Sequence, residues 1–110
     1  MQEQREQQER FAQYIPSVVQ AIAGPDRTVY AYFTDGSIHQ FDTKPLIRKG
    51  GVFKRLEDDR FFSEALTVLN DTVAWDLSGT FDPRTCIDID PVSVYASPAV
   101  RDPLDNDGAA

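Results

Sequence analysis

From Asp71 to the C-terminus the chain carries eight aspartates against Arg84 and Arg101. Carboxylates at that density can supply hard oxygen ligands to Mg²⁺ or Ca²⁺, or make a negative surface for a basic partner. Asp82, Asp88 and Asp90 are the positions from which an ion site would be drawn. Asp90, however, precedes Pro91 as a helix cap, and two carboxylates at i and i+2 on an extended piece share a face without enclosing an ion. The Asp105-Asn106-Asp107-Gly108 run opens like a calcium loop, but the chain ends before the bidentate glutamate such a loop requires. No metal and no cofactor are expected.

The other reactive residue types are sparse. His39 is the sole histidine; with no second histidine and no evident nucleophile it makes a poor general base, and its position on a strand near Phe41 favours a structural role. Cys86 is the sole cysteine, with Arg84 and Asp88 offsetting each other beside it, which fits an inert thiol. Gly50-Gly51, set among Arg48, Lys49, Lys54 and Arg55, offers backbone N–H groups to a phosphate but lacks the spacing of a phosphate-binding loop, so a helix stop is the simpler reading. Tyr30, Tyr32 and Trp75 can form an aromatic platform, although aromatics at strand spacing commonly pack a sheet. No catalytic set emerges, and the chain is read as a non-enzyme.

The elements that must position these residues are legible in pattern. Residues 28–42 read as a hairpin around Asp35-Gly36, a dipeptide suited to a type I′ turn because both its central residues take positive φ. Residues 28–34 and 37–42 are its strands, with Val29, Ala31 and Phe33 on one face and Tyr30 and Tyr32 on the other. Residues 17–23 supply a further strand, and Gly24-Pro25-Asp26 the turn between, giving a three-stranded antiparallel meander. A short helix follows, capped by Asp42 or Thr43, with Pro45 in its first turn, and Gly50-Gly51 ends it. Residues 52–56 offer another helical turn, and Asp58 or Asp59 caps a helix through Phe61, Phe62 and Ala65. Residues 66–69 and 72–75 form a short strand pair across Asn70-Asp71. Residues 81–84 are a loop, 87–89 a short extended piece, and Asp90-Pro91 begins a last helix through Tyr95.

The fold class that follows is α+β: a small antiparallel meander with short helices packed on one face and a second short strand pair. Length leaves room for one domain at residues 16–97, between a polar N-terminal segment at 1–15, read as a frayed helix or disordered, and an acidic disordered tail at 98–110. Net charge is −7, which disfavours direct binding to nucleic acid or anionic lipid. Basic residues gather between Lys44 and Arg60. There is no apolar run of membrane-spanning length, no secretory leader and no cysteine pair, which together favour a cytoplasmic protein. Half-apolar sheet faces and open edges make a homodimer plausible.

In order, the strand pair closed by Phe33-Thr34-Asp35-Gly36, the Phe41-Asp42 and Pro45-Leu46 pairs, Phe53, Leu56 and Phe61, the Val73-Ala74-Trp75 strand and Asp88-Ile89-Asp90-Pro91 form a set. Over residues 16–97 that set resembles the bacterial family catalogued as domain of unknown function 2442. The resemblance implies a meander with short helices and an accessory, regulatory or antitoxin-like role, with no established catalytic residues to carry over. Two features depart from the family's pattern: a longer connection at residues 77–86 and the extra polar N-terminal segment. No helix-turn-helix follows Tyr95.

Three functions are open from the sequence. The favoured one is a non-enzymatic protein-interaction module, antitoxin-like or regulatory, whose partner is a toxin-like protein or a nucleic-acid-binding complex. Its candidate contact residues are Tyr30, Tyr32, Trp75, Asp76, Asp82, Asp88 and Asp90. The second is an acidic mimic of nucleic acid that inhibits a bacterial defence nuclease, as a phage-encoded anti-CRISPR-like protein would. The third is a small ligand-binding protein or enzyme around Gly50-Gly51 and His39.

Overall fold

The computed structural model describes residues 16–105, and the expectations for residues 1–15 and for Asn106, Asp107 and Gly108 fall outside that range. Two antiparallel three-stranded sheets carry the architecture. The first contains β1 (Val18–Ala23), β2 (Thr28–Phe33) and β3 (Ile38–Asp42) in that order. The second contains β4 (Leu66–Leu69), β5 (Thr72–Asp76) and β6 (Cys86–Asp88). Between them run α1 (Lys44–Lys49), a 3₁₀ helix (Gly51–Glu57) and α2 (Asp59–Glu64), and α3 (Pro91–Tyr95) follows β6. The α+β class and the meander stand as expected. The extended piece after Cys86 pairs with β5, so the second unit is a sheet of three strands rather than a pair.

Turn chemistry explains most of the chain's path. Asn70 and Asp71 both take positive φ (55° and 61°) between β4 and β5, as a type I′ hairpin demands. A second pair of that kind forms at Asp26-Arg27, with φ of 54° and 62°, between β1 and β2. The expected type I′ turn at Asp35-Gly36 does not form. There Gly36 alone has positive φ, 87°, its N–H bonds the carbonyl of Phe33, and Phe33 N–H bonds Ser37. The loop is one residue longer, a tight turn closed by a glycine bulge.

The reason lies in register. The observed loop sets Ala31 opposite His39 and Val29 opposite Phe41. A two-residue loop would slip β3 by one residue and turn Gln40 and Asp42 toward the core face in place of His39 and Phe41. Burial of an aromatic ring outweighs the local preference of one dipeptide.

Both sheets and most of the helical segments feed one cluster of buried side chains, against which Leu46 and Ile47 of α1 pack half-buried. Val18, Val29, Ala31 and Phe33 come from the first sheet; Val73, Trp75 and Ile87 from the second; Leu56, Phe62 and Val94 from the helical segments. Gly24 is obligatory where β1 turns, because a Cβ there would lie 2.5 Å from Thr28 Oγ1 and 2.8 Å from the Tyr30 ring. Asp58 caps α2 by accepting from Arg60 N and Phe61 N. Asp90 caps α3 by accepting from Val92 N, with Pro91 in its first turn.

The C-terminal segment departs from expectation. Instead of leaving the domain at Pro98, the chain runs antiparallel along β3, with Gln40 N–H bonding Pro98 O at 3.0 Å and Val100 N–H bonding Ile38 O at 2.8 Å. The exposed edge of β3 supplies unpaired backbone groups, and this segment satisfies them. Asp102 then accepts from Tyr32 Oη at 2.6 Å. Composition alone suggested disorder because backbone pairing needs no apolar side chains.

Candidate functional site

Arg27 locks the helical segment onto the first sheet. Its carbonyl accepts from Thr43 N and from Thr43 Oγ1 at 2.6 Å. Its guanidinium donates to Glu57 O at 2.7 Å, pairs with Asp59 and lies over the Phe62 ring. Neither Arg27 nor this role was legible in the sequence, since its partners lie up to 35 residues away in the chain. On the other side, Trp75 Nε1 donates to Phe62 O at 2.9 Å, with the two rings 5.5 Å apart.

That anchoring decides which face of α2 is free. Phe62 points into the core, so its neighbour Phe61, about 100° further round the helix, lies half-buried at the surface. Arg55 from the 3₁₀ helix stacks over Phe61, its Cζ 4.4 Å from the ring centroid. Phe61, Ala65 and Phe81 line an open groove of about 510 Å³, with Arg55 and Arg60 among its charged borders. A neighbouring depression shares Arg55 and Phe61 and adds Lys54.

The wall opposite α2 is the connection between β5 and β6. It is not a slack excursion. Leu77 N–H bonds Thr85 O at its base. Asp76 Oδ1 accepts from Ser78 N and Ser78 Oγ, and Asp76 Oδ2 accepts from Phe81 N at 3.1 Å. Ser78 Oγ in turn accepts from Thr80 N and Asp82 N. Asp82 holds Arg84 through its backbone N–H and through both carboxylate oxygens to the guanidinium. The net lies under Phe81, which stands 59% exposed with φ of 57°. A bulky residue in the left-handed region costs of order 1–3 kcal/mol and persists only where surrounding contacts over-determine it. Ser78-Gly79 and Asp82-Pro83 marked a loop in the sequence; an aromatic between two such turn signals was the available hint of a displayed side chain.

The candidate contact residues of the sequence reading divide accordingly. Trp75 is fully buried, so its place in a binding platform is corrected: the Phe62 carbonyl takes up its N–H, and the core takes its ring. Tyr32 is half-buried and bonded to Asp102, and burial followed by that carboxylate pushes its phenol up to about 12. Tyr30 is half-buried beside Gly24. Asp76, Asp82 and Asp88 gather around Cys86, whose thiol is pushed up first by burial and then by these three carboxylates. Asp82 is held low chiefly by Arg84. At Asp76, burial opposes ionisation, but the hydrogen bonds from Ser78, Phe81 and Gly79 outweigh it. Asp76, Asp82 and Asp90 are therefore engaged in shaping the backbone, which leaves Asp88, exposed at the end of β6, as the one of the four without such a task. Among the described residues no cluster of His, Cys, Asp or Glu has the arrangement to hold a metal ion.

His39 lies in a closed polar network. It is 7% exposed, edge-on to Phe33 and close to Tyr95. Ser97 O can only accept, so His39 Nδ1 carries the proton of that 2.7 Å bond; Nε2 lies 3.1 Å from Ser37 Oγ. Ser37 Oγ also contacts Asp35 at 2.6 Å, and Tyr95 Oη donates to Asp35 Oδ2 at 2.7 Å. Ser37 and Tyr95 hold the Asp35 carboxyl at about 2. A serine within reach of a histidine is present, yet its proton is drawn toward Asp35 as well, and the histidine ties the C-terminal segment to β3.

No family model matches the chain, and neither a curated protein nor a solved structure does. Among the described residues no helix is long and apolar enough to cross a membrane.

Proposed function

We propose that this protein is a non-enzymatic interaction module that binds a protein partner through the α2 groove and the Phe81 loop. The carrying observation is Phe81: a large apolar side chain held 59% exposed, in a strained conformation, by a dedicated hydrogen-bond net. Surface aromatics beside an arginine, in a partly apolar depression, are the residue types that dominate binding energy at protein interfaces. The resemblance to the domain of unknown function 2442 family supports a regulatory or antitoxin-like role for that binding. The wall that displays Phe81 lies in the connection where this chain departs from the family's pattern, so the groove itself rests on the structure alone.

The test is capture from the native host with the wild-type protein and Phe81→Ala side by side, with bound proteins identified by mass spectrometry. One protein recovered by the wild type and lost, by tenfold or about 1.4 kcal/mol, with the variant supports the reading. Equal recovery by both, or recovery of nothing at low and high salt, overturns it.

A further inference from the structure

We infer that the groove takes a partner segment carrying an apolar side chain next to a carboxylate, the apolar group entering between Phe61 and Phe81 and the carboxylate meeting Arg55. This rests on the interaction reading and names the chemistry of the partner.

The inference comes from sorting the charges around the groove by what already holds them. Three carboxylates line it, and each has a partner of its own. Asp58 accepts from the first N–H groups of α2. Asp76 is engaged in the loop. Glu64 pairs with Arg60 one turn earlier on the same helix. Arg55 stands differently: its guanidinium lies over the Phe61 ring, and among the described residues neither it nor Lys54 has a carboxylate partner.

An arginine whose guanidinium sits over an aromatic ring still has N–H groups to offer a carboxylate, often by two parallel bonds. The groove thus offers a paired apolar surface with, at one end, a guanidinium that no carboxylate of the described residues pairs, in a protein whose net charge is −7. A basic segment would have to enter beside Arg55 and, among the described residues, would find only Glu57 of the neighbouring depression with its side chain unpartnered; a neutral apolar one would leave Arg55 partly desolvated without a counter-charge.

Three small compounds that share a phenethyl group isolate the charge: 3-phenylpropionate, 3-phenylpropanol and phenethylamine. Each is titrated into the ¹⁵N-labelled full chain to about 20 mM, enough to saturate a millimolar site. The inference expects shifts at the amides of Arg55, Phe61, Ala65, Gly79 and Phe81, with 3-phenylpropionate binding about fivefold more tightly than phenethylamine. It expects that preference to shrink as salt rises and to vanish in Arg55→Gln with the rest of the spectrum retained. Equal binding of the three compounds, tighter binding of phenethylamine, or no shift at these amides overturns it. Shifts of the same amides with protein concentration alone would assign the groove to a second copy of the chain and also overturn it. The interaction reading is judged separately: if Phe81→Ala loses its captured partner while the charge preference is absent, the module stands and the acidic segment falls.

Discussion

The edge of β3 and the groove beside α2 are built from similar residue types and are finished in opposite ways. Both hold aromatic rings, carboxylates and a basic or potentially basic group. At β3, His39 bonds Ser97 and approaches Ser37, Tyr95 bonds Asp35, and Tyr32 bonds Asp102. Each polar atom there is answered from within the chain, and the backbone itself is paired out to Val100. At the groove, Phe81 is exposed and Arg55 has a ring under it but, among the described residues, no carboxylate paired with it. Internal satisfaction marks a region that holds the molecule together, whereas an ordered region left unsatisfied is arranged for something else.

The comparison breaks if the two regions respond alike to substitution. The largest effect is expected from His39→Ala, which removes a buried ring and orphans the Ser97 carbonyl; the loss should be about 2–4 kcal/mol, read as a lower urea midpoint at unchanged slope. A loss below about 0.5 kcal/mol would show that the network does not hold β3. Ending the chain after Ser97 removes the Val100 N–H bond to Ile38, the Pro98 carbonyl bond and the Tyr32–Asp102 pair, for about 2–3 kcal/mol at roughly one per net hydrogen bond.

Alkali sharpens the same side. Tyr32 ionises at about 12 when folded and near 10 when unfolded. A group whose folded value is raised stabilises fully below the unfolded value and ceases to do so as pH climbs through the folded one. Absorbance at 295 nm should therefore show Tyr32 titrating late, with Tyr95 also raised by its bond to Asp35, unfolding midpoints falling between pH 10 and 12, and Tyr32→Phe reducing that fall. The acid side has the opposite sign: Asp35, depressed to about 2, stabilises above its ordinary value near 4 and is lost as pH falls toward 2.

The smallest expected effect is at the groove. Phe81→Gly should leave stability unchanged or raise it, by up to about 1 kcal/mol, because glycine takes φ of 57° without strain. A clear destabilisation would mean that Phe81 packs for the fold's sake, and the contrast between the two regions would go with it.

How much of this the sequence carried depends on how local the signal is. Asp58 and Asp90-Pro91 cap helices as read, because a cap is decided within three residues. Asn70-Asp71 turns as read for the same reason. Asp35-Gly36 misleads because its turn type is set by register, and register is set by whether Phe41 or Asp42 lies beside Val29. Trp75 stays open between sheet packing and a surface contact because a strand's pattern does not say that a helix will lie across it. The groove was invisible for a stronger reason: Arg55, Phe61 and Phe81 sit on three elements, and it takes the anchoring of α2 by Arg27 and Trp75 to turn Phe61 outward. Caps and turns are properties of short stretches; sites of this kind belong to the packed whole.

The pairing of residues 98–100 with β3 has a consequence for solubility. An uncovered strand edge is a template on which another chain can add itself, and proteins commonly guard such edges with charge, proline or a cover. Here the cover is residues 98–100, joined to β3 by two backbone hydrogen bonds. Trimming near Ser97 would do more than weaken the fold: it would leave Ile38 and Gln40 with backbone groups facing outward in every copy. Such molecules should add edge to edge, so that a clipped preparation clouds with rising concentration while the intact one stays clear.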